Sequence, residues 1–164
     1  MSAQTTYAYA GPMGVAGGLV DLSPRQIDTY LNSEANGSLG FGLGVVAGSR
    51  PGVNIALPGT TSVAKDFQGV TVNNRTTETA MDGTVTILGG AAVGVLAWGK
   101  IYVKVAAAAS PSFGAQAYLV TSGAEKGCFT QDSTAGVALK ARFLGAASGG
   151  IAPLELLHQM QETN

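Results

Sequence analysis

GTVTILGGAAVGVLAWGKIYVKV, residues 83–105, is the longest apolar segment of the chain and carries no charge from Gly83 to Gly99. Its length invites comparison with a membrane span, which needs ~20 predominantly apolar residues. Five glycines interrupt it, at 83, 89, 90, 94 and 99. Its ends alternate instead. Val85 and Ile87, Val93 and Val95, then Ile101, Val103 and Val105 fall two apart, with Tyr102 and Lys104 on the opposite face. Period two with β-branched and aromatic residues means strand. The stretch predicts two or three paired strands, broken at Gly89-Gly90 and bent near Gly99. Trp98, the single tryptophan, sits at the bend and is expected to anchor the core.

Outward from this stretch the same pattern recurs. Leu39, Phe41, Leu43 and Val45 alternate with small residues and predict a strand within 37–48. Short strands follow at Val53–Leu57 and Asp66–Val72, the second with a bulge at Gly69 that shifts its alternation. Residues 73–83 form the longest polar loop. Beyond the central stretch, Pro111 argues against a helix through the linker AAAASPS. Residues 114–123 and 127–132 predict a hairpin through Ala124-Glu125-Lys126. In 137–148, Leu139, Ala141 and Phe143 share one side, Lys140 and Arg142 the other. Gly149-Gly150 then turns into 151–158, where Pro153 suits a sheet edge or the first turn of a helix. Many short strands separated by turn signals define an all-β sandwich or barrel in one domain.

One segment is ambiguous. In DLSPRQIDTYLNSEAN, residues 21–36, Ser23-Pro24 with Gln26 resembles a capped helix start, and Ile27, Tyr30, Leu31 and Glu34 have helical spacing. An extended path would place Ile27 and Leu31 on one face; local pattern alone favours a short helix.

The totals narrow the function. Of 164 residues only 12% are charged, about half the usual ~25%, while 46% are hydrophobic. The chain therefore folds, with a surface rich in small polar residues, covered by other subunits, or both. A net charge of −1 and scattered bases leave no footprint for nucleic acid and no polybasic run for an anionic membrane. MSAQTTYAYAGPMG lacks the positive n-region and apolar core of a secretory signal, so synthesis in the cytoplasm is expected. Asn36-Gly37-Ser38 and Asn74-Arg75-Thr76 match glycosylation sequons that are idle without secretion.

Catalytic parts are scarce, and no cofactor or metal set is expected. His158 is the single histidine and is read as a solvent-facing tail residue. Cys128 is the single cysteine, read as a small, partly buried strand residue. There is no G-x-S-x-G elbow and no close carboxylate pair. Gly42, Gly44 and Ala47 match G-x-G-x-x-A, but that fingerprint needs a strand before its glycines and a helix opening on them. Here the glycines lie inside the strand pattern.

Taken in order, FGLGVVAG, a short strand ending in LPG, DFQGVTVNNRT, VGVLAWGKIYVKV, GAQAYLV and ARFLGAASGGIAPLELL resemble the capsid structural cement proteins of tailed bacteriophages. The leading segment GLVDLSPRQIDTYLNSEAN is similar to that family's too, and is extended there; the similarity spans residues 18 to 157. The resemblance implies a β-barrel or jelly-roll-like subunit bound outside an icosahedral shell at capsomer junctions, with the major capsid protein as partner and no catalysis. It sets a strand against the helix read at 24–34. Other readings are a tail or fibre β domain of a virion and a carbohydrate-binding module, the latter requiring exposed aromatics grouped on one face.

The expected organisation is an extended arm over residues 1–20, a β domain over 21–158 and a polar tail over 159–164. Junctions lie near symmetry axes, so a homotrimer is expected, with a homodimer as the alternative. The uncharged arm is expected to cross onto a neighbouring subunit, with Tyr7, Tyr9, Pro12 and Met13 as its contact residues.

Overall fold

The computed structural model describes residues 14–73, 78, 79 and 85–158. Its strands are β1 (Gln26–Asn32), β2 (Gly44–Ala47), β3 (Asn54–Ala56), β4 (Phe67–Thr71), β5 (Glu78–Thr79), β6 (Val85–Thr86), β7 (Ala92–Lys104), β8 (Gln116–Leu119), β9 (Phe129–Thr130), β10 (Val137–Phe143) and β11 (Ile151–Leu156). A short 3-10 turn, Ala64–Asp66, precedes β4. The fold is all-β, as expected.

The 13-residue β7 is the hub. Its first half pairs with β1 on one edge and β4 on the other; its second half pairs with β11. The strands β1-β3-β2-β4-β7 close into a ring, because β1 returns to β7. Four of the five contacts are antiparallel, and β1–β3 is parallel. An all-antiparallel ring must alternate direction, which five strands cannot do, so a parallel contact is forced. The second half repeats the solution. β7-β11-β10-β8-β9 are antiparallel throughout, and a parallel bridge from Phe129 to Val105 joins the last strand back to the end of β7.

β7 serves both rings because its side-chain phase shifts once. Val93 and Val95 face a small core with Leu39, Val45, Ile55 and Ile87. Leu96, Ile101, Val103 and Val105 face a larger one with Phe67, Val70, Leu119, Phe129, Phe143 and Leu154. Leu96 and Ile101 are five apart, which strict alternation would put on opposite faces. A bulge absorbs the difference: Gln26 pairs with Trp98 and Ile27 with Leu96, leaving Ala97 as the extra residue. Gly99 follows with φ 130°, and its pairing with Leu156 begins the second sheet. The sequence-read bend is thus the crossing point between the rings.

Several expectations change. At 24–34 the strand implied by the resemblance holds over Gln26–Asn32, and the helix favoured by local pattern does not: β1 runs along β7, and Ser23 bonds to the Asp21 carboxylate instead of capping a helix. Its spacing misleads because Ile27 and Leu31 are exposed, while Tyr30 packs against the small core and Asn32 is buried. The strand expected within 37–48 begins only at Gly44. Leu39 and Leu43 are buried from a turn, held by the Thr71 hydroxyl, which donates to Gly40 O at 2.8 Å and accepts from Leu43 N at 3.1 Å. The G-x-G-x-x-A match therefore spans a turn and a strand with no helix behind it. The central stretch breaks at Gly89-Gly90 as read, but its halves do not pair; β6 pairs with β5. Trp98 is half-buried, not a core anchor, and donates to Gln26 Oε1 at 3.2 Å. Pro153 lies inside the sheet between β7 and β10, and Leu144 N donates to its carbonyl at 2.8 Å just past the end of β10. The Gly69 bulge, the 116–130 hairpin and the sided alternation of β10 are as read.

Candidate functional site

Residues 14–20, ahead of β1, are built into the body. Residues 17–20 follow the same edge of β7 that β1 uses, with Val20 N donating to Lys100 O, Tyr102 N to Gly18 O and Gly17 N to Tyr102 O at 2.7–3.2 Å. Asn73 N donates to Gly17 O at 2.8 Å, tying this segment to the end of β4. Gly14 lies against the Tyr102 ring, where a Cβ would meet Cε2 at 2.4 Å. The expected contact residues Tyr7, Tyr9, Pro12 and Met13 lie outside the described residues, as does the tail expected over 159–164.

Across this face runs a polar ladder. Lys100 Nζ reaches Asp21 Oδ2 at 2.8 Å, Lys100 is the register partner of Glu155, and Arg142 Nε reaches Glu155 Oε2 at 2.7 Å. The Lys100 hydrogen bond, with further bonds from Ser23, holds the Asp21 carboxyl far below its usual range. The same contact raises the Lys100 ammonium. Both groups are solvent-exposed, so the pair is worth little. The sign is nevertheless definite. The depressed Asp21 contributes above the ordinary carboxylate pKa of ~4, and the contribution fades as pH falls towards its folded value. Asp21→Asn should therefore be slightly less stable than the natural chain near neutral pH. In urea titrations that difference should shrink as the pH is lowered through the carboxylate range. A difference independent of pH would mean that the pair has no role.

Exposed apolar side chains are the other surface feature. Leu22 is 89% exposed and Phe113, on the loop between β7 and β8, 74%. Ile27, Leu31 and Val53 are exposed at or beside β1. Sequence reading did not single out Leu22 or Phe113. The signal for Phe113 was available, an aromatic held between Pro111 and Gly114 in a linker.

Groups with chemical potential are dispersed. His158 is exposed beyond β11. Cys128 is partly buried beside β9, and burial pushes its thiol up, keeping it protonated. Glu125 accepts from Ala107 N at 2.7 Å, fastening a turn. Among the described residues no three His, Cys, Asp or Glu gather to hold a metal. What the geometry offers is surface: a stitched N-terminal segment, an edge and exposed apolar anchors.

Those features define a β-structured binding subunit. Over residues 3–157 the sequence matches the family described as structural cement protein (E217 gp24/Pam3 gp6), and the chain belongs to that family of phage capsid cement proteins. Its fold is similar to that of a chain from the capsid of Myoviridae phage XM1, with a TM-score of 0.72 and 18% identity, covering 97% of this chain and 99% of that one. No curated protein matches the sequence.

Proposed function

We propose that this cement protein binds the outer surface of an icosahedral phage shell at capsomer junctions, bridging copies of the major capsid protein. The family match over residues 3–157 carries the proposal. The mechanism is interfacial. A subunit that contacts more than one shell protein must be released before capsomers separate, and binding only the assembled shell stabilises that shell by linkage. The low charge, 12% of residues, and the exposed Leu22 and Phe113 suit such contacts. Exposed aromatic anchors contribute disproportionately to interfaces. The role requires no catalysis, cofactor, nucleic acid or membrane. The chain is made in the host cytoplasm and joins the shell as a homotrimer, or alternatively a homodimer.

The N-terminal arm is part of the attachment. Its first 13 residues are uncharged and carry Tyr7, Tyr9, Pro12 and Met13, which we assign to subunit contacts. Ordering such a segment costs about 1–2 kcal/mol per residue of backbone, which a partner surface must offset. Deleting residues 2–13 should leave β1–β11 folded and lower occupancy on capsids at least about tenfold, a loss of 1.4 kcal/mol. Cryo-EM of particles assembled with each form measures this directly. Full occupancy by the truncated chain would limit the arm to a loose end. Virions lacking the whole protein should lose resistance to heat and internal pressure; equal resistance would refute the cement role.

A further inference from the structure

Asn36-Gly37, idle as part of a glycosylation sequon, is the one Asn-Gly pair of the chain. Such a pair carries a second chemistry. The glycine amide nitrogen can attack the asparagine side-chain carbonyl carbon, because no Cβ on the glycine obstructs the approach. Asn32 and Asn54, by contrast, are buried in or beside strands and are followed by serine and isoleucine, whose side chains hinder that attack.

The fold puts Asn36-Gly37 at the centre of an exposed turn, closed by Ser38 N donating to Ala35 O at 3.0 Å. Gly37 has φ 76° while Asn36 stays out of the left-handed region, as in a type II turn with glycine at its third position. Water reaches both residues, yet both reacting groups are fastened elsewhere. Gly37 N donates to Ile87 O at 3.1 Å, and Asn36 Oδ1 accepts from Gly89 N at 2.7 Å. The segment that holds them is itself fixed. Ile87 is buried in the small core, Asn32 Nδ2 donates to Leu88 O at 3.0 Å, and Gly90 N donates to Asn32 O at 2.7 Å. The attack needs Gly37 N stripped of its proton and Asn36 Cγ brought onto it. While the turn sits on residues 87–89, the proton is committed to Ile87 O and the side-chain carbonyl to Gly89 N.

We propose that Asn36 is a spontaneous modification site, and that the contact of its turn with residues 87–89 is the latch that holds the reaction back. When the turn lifts, Gly37 N bonds to Asn36 Cγ and the Cγ–Nδ2 bond breaks. The amide proton passes through water to the leaving group, which departs as ammonia. Water then adds to either carbonyl of the five-membered imide and opens it, giving aspartate or isoaspartate. Nothing is oxidised or reduced. The aspartate product keeps an oxygen for Gly89 N. The isoaspartate product lengthens the main chain by a methylene and draws Ser38 N away from Ala35 O, so the turn cannot close again. This chemistry does not depend on attachment to a shell.

The test incubates the full chain at neutral pH, folded and fully unfolded in guanidinium chloride. Peptide mapping by mass spectrometry and an enzymatic isoaspartate assay follow the products. In denaturant the peptide holding Asn36 should gain both. In the folded chain it should gain them at least about tenfold more slowly, because only the lifted turn reacts. Hydrogen exchange at the Gly37 amide, read by NMR, reports the same opening, so its protection should match that slowing within about threefold. Asn36→Gln keeps a side-chain amide but requires a larger ring, and should leave the peptide unmodified in both states. An unmodified Asn36 in denaturant, or modification that persists in Asn36→Gln, would remove the site. Equal rates in the folded and unfolded chain, or fast modification beneath a protected Gly37 amide, would remove the latch.

Discussion

Gly69→Ala should destabilise the protein by at least about 3 kcal/mol, combining left-handed backbone strain with overpacking. A Cβ at this position would lie 2.2 Å from Leu96 O and 2.8 Å from Leu96 C. Those atoms are backbone of β7, which two rings hold in place, so no side-chain rotation relieves the overlap. Gly69 also has φ 143° at the bulge, where Val45 pairs with Gly69 and Val46 with Phe67. Melting should fall by about 6–12 °C for a chain of this size. Gly59→Ala supplies the control, since nothing lies within 4 Å of its Cβ position. It should be neutral or slightly stabilising. Equal effects of the two substitutions would mean that β4 can move away from β7, and that the first ring is not rigid.

Gly69 shows what local pattern can reveal. Phe67 on one phase with Val70 and Val72 on the other requires a register slip, and a glycine in a strand is where slips occur. The alternation of β10 was legible for a similar reason, because Lys140 and Arg142 interleave with Leu139, Ala141 and Phe143. The same logic failed at 39–43, where alternating large and small residues fill a core from a turn fixed by Thr71, a partner 28–31 positions away. It failed at β1 because Ile27 and Leu31, four apart as on a helix face, are exposed. Trp98 was misplaced because its pairing partner, Gln26, lies 72 residues earlier. Both rings depend on such long-range pairings, so their closure leaves no local trace.

Phe129→Ala tests the second closure, and the expected loss is about 3–5 kcal/mol. Phe129 is fully buried in the larger core. Its ring approaches Gly44 of β2 closely enough that a Cβ there would meet Cζ at 3.0 Å, so it links the two rings. Its backbone bridges Val105 and accepts from Ala106 N at 2.9 Å, which is the contact that returns the second ring to β7. Losing the side chain leaves a cavity walled by paired strands, and such walls collapse poorly, which places the cost towards the upper end of the range. Melting should fall by about 10–15 °C. Phe113→Ala, at a 74% exposed loop position, should change stability by less than about 0.5 kcal/mol. The ring link also predicts where the damage spreads. Amides of β2 and β4 should lose hydrogen-exchange protection along with those of β8 and β9, because the core they share runs through Phe129. Loss confined to β8 and β9, with β2 and β4 still protected, would show that the rings unfold independently and that β7 alone does not couple them.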